Sequence, residues 1–109
     1  MASDEAAIER VRRCFSERDD VREKRMFGGV AFMHRGNMCV GISGDRLVAR
    51  VGPEAYEAAL ARPCAAPMDF TGKPMRGFVF VAAEGYAKDD DLREWIALCK
   101  SFTATLPAK

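Results

Sequence analysis

The sequence predicts an α+β fold: one antiparallel sheet of about five strands with three helices, arranged as a two-layer sandwich. Three observations predict it. Apolar residues recur at helical spacing near both ends of the chain. Between them, short apolar runs are separated by Gly-Asn and Gly-Asp, which is hairpin chemistry because glycine supplies the positive φ. The chain has 109 residues, 49% apolar and 30% charged, which makes one globular domain rather than two domains or a disordered chain.

The first helix is expected from Ser3 to about Arg18. Ser3 is a candidate N-cap, Asp4 and Glu5 complement the dipole, and Ile8, Val11 and Phe15 form the apolar stripe. Strand character begins near Lys24. Val30–Met33, Met38–Ile42 and Arg46–Val51 read as a three-stranded meander, turning at Arg35-Gly36-Asn37 and Ser43-Gly44-Asp45. Gly28-Gly29 ahead of the first run predicts a bend or bulge. Gly52-Pro53-Glu54 opens a short helix over 53–61, with Tyr56, Ala59 and Leu60 on its apolar face. Met68-Asp69-Phe70 and Phe78–Ala82 read as two further strands around a turn at Thr71–Pro74. The last helix starts at the Asp89-Asp90-Asp91 run, one member of which is expected to be the N-cap. Leu92, Trp95, Ile96, Cys99, Phe102 and Leu106 make a continuous stripe.

Charge and cysteine usage exclude several function classes. Seventeen basic and sixteen acidic residues leave a formal charge of +1, so bulk charge alone cannot hold a nucleic acid. No apolar run is long enough to cross a membrane, and the polar, acidic start is unlike a signal peptide. Cys14, Cys39, Cys64 and Cys99 lack the close spacing of a zinc or redox motif, so reduced, mostly buried thiols in a cytoplasm are expected. No cofactor or metal is expected.

Candidate chemistry is sparse. His34, the single histidine, stands beside a hairpin turn with no evident nucleophile, and is read as an exposed loop-edge residue rather than a base or ligand. Gly41-Ile42-Ser43-Gly44 lacks nucleophile-elbow spacing, and Gly72-Lys73-Pro74 lacks the rest of a phosphate loop. The aspartate run is explained by the helix start, since position 100, where a calcium loop needs its last carboxylate, is lysine. An enzyme or ligand pocket near Tyr56, Asp69 and Lys73 is the weakest reading, because no acid, base and nucleophile come together.

Two surfaces remain. Arg10, Arg13, Arg18, Arg22 and Arg25 are the candidate nucleic-acid contacts, although acidic neighbours leave residues 9–25 only +2. The sheet offers the other. Simple alternation puts Met38, Val40 and Ile42 on one face and Cys39 and Gly41 on the other, and leaves a second, weakly apolar face charged only on its third strand. Such a face or its edge is expected to meet another chain, most simply a second copy, with Met26, Phe27, Gly28 and Gly29 as candidate contacts.

Residues 25–32, Arg-Met-Phe-Gly-Gly-Val-Ala-Phe, resemble the N-terminal domain family of the competence regulator TfoX. Later blocks agree in order: Leu47-Val48-Ala49-Arg50-Val51, Pro67-Met68, Gly72-Lys73-Pro74-Met75, Gly77-Phe78-Val79 and Trp95. The resemblance spans roughly residues 6 to 106. Ala31 stands where the family often has glycine. It implies a fold similar to secretion chaperones: helix, three strands, helix, two strands, helix. It also implies a link to DNA-uptake regulation in longer members, which carry a second domain beyond the span of this chain. No catalytic residues carry over. The resulting expectation is a non-enzymatic regulatory or protein-interaction module, dimeric and cytoplasmic. The alternatives are a nucleic-acid-associated regulator and, behind it, a small-ligand protein or enzyme.

Overall fold

A computed structural model describes residues 5–16, 19–26, 29–69 and 74–107. Helix α1 (Glu5–Arg13) leads into four consecutive strands: β1 (Val21–Met26), β2 (Gly29–His34), β3 (Asn37–Ser43) and β4 (Arg46–Arg50). Helix α2 (Tyr56–Leu60) crosses to β5 (Ala65–Asp69), β6 (Pro74–Val81) follows, and a 3-10 turn (Ala83–Tyr86) precedes α3 (Asp89–Thr103). The six strands form one antiparallel sheet in the order β1-β2-β3-β4-β6-β5. The predicted fold class stands, and the meander gains a strand. That strand, Val-Arg-Glu-Lys-Arg-Met, carries four charges and so lacks the apolar alternation that reveals a strand in sequence. Gly29 consequently opens β2, paired with Met26, instead of bending a continuous strand.

One sheet face and all three helices enclose the main core. It gathers Ile8 and Val11 of α1, Phe32, Val40, Ile42, Leu47, Val79 and Val81 of the sheet, Tyr56 and Ala59 of α2, and Leu92, Trp95, Ile96 and Cys99 of α3. Nine and five residues are too few for α1 and α2 to persist alone, so packing holds both. Helix α3 is the long one. Its buried positions 92, 95, 96, 99 and 103 follow the 3.6-residue period and lay one stripe across β3 and β4.

Four helix ends differ from expectation, one of them the end of α3 at Thr103, which leaves Leu106 in the turn beyond the helix. Helix α1 ends at Arg13 rather than Arg18, because Asp19 draws the chain into a turn: its Oδ2 accepts from the Ser16 backbone N–H at 2.7 Å and from Ser16 Oγ at 3.3 Å. Ser3 and Arg18 lie outside the described residues. Helix α2 starts at Tyr56, since residues 53–55 form a turn. The N-cap of α3 is Lys88, with no side-chain cap bond. Asp89, Asp90 and Asp91 occupy the first turn, where they favour the positive end of the helix dipole.

The alternation predicted for β3 fails at one residue. Phe32 pairs with Val40, but Met33 pairs with Met38, so Cys39 has no partner and forms a β-bulge. Beyond the bulge the faces exchange. Cys39 joins Val40 and Ile42 in the main core, and Met38 turns to the opposite face, beside Ala31, Val48, Met68 and Phe80. Gly41 sits in that opposite row, between Ala31 and Val48, and a Cβ there would lie 2.9 Å from the Val30 carbonyl oxygen.

Trp95 is 1% exposed at the centre of α3, with the Arg62 guanidinium 4.8 Å from its ring centroid. Trp95→Ala is expected to cost about 3–5 kcal/mol. In a domain of this size that lowers the thermal midpoint by more than about 10 °C. Calorimetry of the variant checks this, and an unchanged midpoint contradicts the core assignment.

Candidate functional site

The sequence-predicted nucleic-acid contacts do not come together on one surface. Arg10 donates to the backbone carbonyls of Tyr86 (2.7 Å) and Ala87 (3.1 Å) and to Asp89 Oδ1 (3.1 Å), which ties α1 to the start of α3. Arg13 pairs with Glu9 at 3.3 Å. Between them, Arg12 bridges Glu9 and Glu23, the latter through two bonds of 2.5 and 2.8 Å. These contacts hold the Glu23 carboxyl below its usual range and secure α1 over β1. Arg22 and Arg25 share β1, but their pairing with Met33 and Val30 sends them to opposite faces of the sheet. The basic face of α1 thus serves largely as structural ion pairing.

Of the candidate protein contacts, Met26 and Gly29 close the β1–β2 pairing, and the Gly29 position is buried. Phe27, Gly28 and the Met26 side chain lie outside the described residues. Lys73 and the Asp69 side chain do as well, while Tyr56 is buried in the main core.

The face of the sheet away from the helices carries a sharper arrangement. Its floor is closed within a single chain: Ala31, Met38, Val48, Met68 and Phe80 are each at most 7% exposed. Apolar side chains of this second face are therefore covered within the chain itself. Above the floor stand basic side chains. Arg22 and Lys24 of β1 pair with Met33 and Ala31 on this face, and both are exposed. Exposed Arg46 of β4 lays its guanidinium 3.8 Å from the Phe80 ring centroid. At the end of the same strand, half-buried Arg50 lies 5.4 Å from both Phe78 and Phe102 and donates to the Met38 carbonyl at 3.3 Å. Among the described residues none of these four side chains is ion-paired, although Asp20 lines the same surface hollow as Arg22 and Met33. A nearly neutral protein thus presents one basic, aromatic-backed face.

Sequence reasoning noted Arg46 and Arg50 as the charges on this face but assigned Arg22 to a helix-associated patch and passed over Lys24. The signal available was the alternation Arg22-Glu23-Lys24, which puts the two cations on one side of a strand and the acid on the other.

His34 is not the exposed loop-edge residue expected. It is 7% exposed, and its Nδ1 lies 2.7 Å from Thr103 Oγ1 on α3. Thr103 Oγ1 in turn donates to the Cys99 carbonyl at 3.2 Å. Buried Asn37 donates to the Pro107 carbonyl at 2.9 Å, so the turn end of the β2–β3 hairpin is fastened to the end of α3 and the segment after it. Burial pushes the Cys39 thiol up to about 11, the Cys99 thiol well above its ordinary value, and the Cys14 thiol upward. All three stay protonated at neutral pH, which disfavours them as nucleophiles or metal ligands. Among the described residues no cluster of three potential metal ligands occurs. The described helices include none long and apolar enough to cross a membrane.

His34 generates a pH prediction. Burial, reinforced by the Lys100 charge, holds its pKa below the usual 6.5. The unfolded chain therefore takes up this proton first as pH falls, and stability is lost on descending below about pH 6.5. Asp19 and Glu23, whose values are lowered, act only below the ordinary carboxylate values of 3.8 and 4.5. The urea midpoint should thus fall between pH 7 and pH 5.5, and His34→Gln should flatten that interval. An equal slope in both proteins contradicts the assignment.

Searches of curated proteins and of solved structures return no match. The family model described as TfoX N-terminal domain matches residues 13–103, which takes in every strand, α2 and α3. The blocks that carried the resemblance fall within this span: Val30–Phe32 on β2, Leu47–Arg50 on β4, Pro67-Met68 on β5, Phe78-Val79 on β6 and Trp95 on α3. The chain belongs to the TfoX N-terminal domain family.

Proposed function

We propose that this chain is a non-enzymatic regulatory module that acts by binding another macromolecule, within the competence or transcriptional control that its family membership suggests. The observation that carries the reading is the basic sheet face. Three exposed cations and half-buried Arg50 stand over a closed apolar floor without ion-pair partners among the described residues, an arrangement that fits an anionic partner. The positions of the reactive side chains support the non-enzymatic part. His34 is fastened to Thr103, and three of the four thiols are buried or half-buried with raised pKa values. Because the apolar side chains of this face are covered already, the partner in this reading is a different molecule rather than a second copy.

Deletion of the gene in its native host tests the reading. Transcript levels or DNA uptake should change, and the wild-type chain should restore them. A chain carrying Lys24→Glu and Arg46→Glu should not, while keeping the wild-type circular dichroism and thermal midpoint. Unchanged transcripts and uptake on deletion, or full restoration by the charge-reversed chain, would overturn the proposal.

A further inference from the structure

Resting on the reading of the sheet face as an interaction surface, we infer that its occupant is a single-stranded polynucleotide, with phosphates at Arg22 and Lys24 and a base stacked on Arg46. Three observations single out this occupant.

The first is the charge. Arg22, Lys24 and Arg46 are exposed, lack ion-pair partners among the described residues, and rise from one face of the sheet. The second is their spacing. Strands stand about 4.8 Å apart, so β1 and β4 are separated by roughly 14 Å, and Arg22 and Lys24 by about 7 Å along β1. A flexible strand can lay successive phosphates across such a span, whereas a rigid duplex meets a flat sheet only along one ridge. The third is the seating of Arg46. Its guanidinium lies 3.8 Å from the Phe80 centroid and the residue is exposed, while Phe80 itself is 6% exposed. The guanidinium thus lies against the ring while Arg46 itself stays exposed to solvent. Bases stack on guanidinium planes as they do on aromatic rings. An acidic peptide would use the charge but has no need of a supported plane, so the arrangement favours a strand with bases over a run of carboxylates.

The inference also fits the near-neutral composition. Attraction here comes from three or four locally grouped cations, not from net charge, so binding is modest and strongly salt-dependent. With two to three phosphates neutralised, the logarithm of affinity should fall against the logarithm of salt with a slope of about −1.4 to −2. A rise from 50 to 200 mM then weakens binding about 7- to 20-fold.

Fluorescence anisotropy with the full chain and labelled 15-nucleotide oligo(U), oligo(dT) and a duplex of the same length tests this. The expected result is salt-dependent binding to one or both single strands and at least tenfold weaker binding to the duplex. Tighter binding to oligo(U) identifies RNA as the source, and equal or tighter binding to oligo(dT) identifies DNA; either outcome supports the proposal. Lys24→Gln should reduce the salt slope by about 0.7. Arg46→Lys, which keeps the charge and loses the plane, should weaken binding about tenfold with the slope unchanged. Arg93→Gln on α3 should change neither. No binding at 50 mM salt with 100 µM protein, or equal binding to the duplex, overturns the inference. If strand binding is absent while the charge-reversed chain still fails to restore regulation in the host, the regulatory reading stands and the occupant is an acidic protein.

Discussion

One unpaired residue organises this domain. Cys39 interrupts the β2–β3 ladder, and every side chain of β3 before it takes the face opposite to the one that uninterrupted pairing would give. The bulge sends Cys39 toward α3 and Met38 to the far side, and puts Asn37 and its partner His34 on the helix side. Two consequences follow. The hairpin acquires polar anchors to the end of α3 and the segment beyond it, through His34–Thr103 and Asn37–Pro107. The far face acquires Met38, which joins Ala31, Val48, Met68 and Phe80 in closing the floor under the basic side chains. A second irregularity, at Met68 between the pairings of Pro67 and Asp69, occurs on the edge strand β5, and the fully buried Met68 completes the same floor. Bulges bend and twist the strands that carry them. Here they also determine which side chains close the far face.

The electrostatics divide along the same line. On the helix side cations meet carboxylates: Arg10 with Asp89, Arg12 with Glu9 and Glu23, Arg62 with Glu94, Lys100 with Asp19. Apart from the half-buried Lys100–Asp19 pair they are largely exposed and individually worth little, but they tie α1 and the segment after it to β1 and α3, and the segment after α2 to α3. On the far face Arg46 and Arg50 lie against aromatic rings, and among the described residues no cation of that face forms an ion pair. A +1 chain with such a division is neutral in sum and polarised in space. That is why net composition hides the grouping of cations on one face.

Much of the architecture was legible in the sequence. The α3 stripe was readable because its residues repeat at one period over four turns, and the hairpins at Gly36 and Gly44 because both glycines adopt the positive φ that their turns require. Strand β1 was not, since its charges mask alternation and only pairing with β2 reveals it. Nor was the bulge at Cys39, because an apolar run of Met, Cys, Val, Gly and Ile reads the same with or without a skipped residue. His34 was misjudged for a related reason: its partner, Thr103, is 69 residues away, and no local pattern encodes such a bond. The candidate site was half legible. Arg46 belonged to a strand already recognised, whereas Arg22 and Lys24 belonged to the strand that was not.

The anchoring of α3 and the closed floor both depend on the register of β2 against β3. Cross-strand nuclear Overhauser contacts between backbone protons in the native protein read that register directly. Contacts are expected to place Met33 opposite Met38 and Phe32 opposite Val40, with Cys39 unpaired. Contacts placing Met33 opposite Cys39 and His34 opposite Met38 would contradict that register, and with it both the anchoring of α3 and the closed floor beneath the basic face.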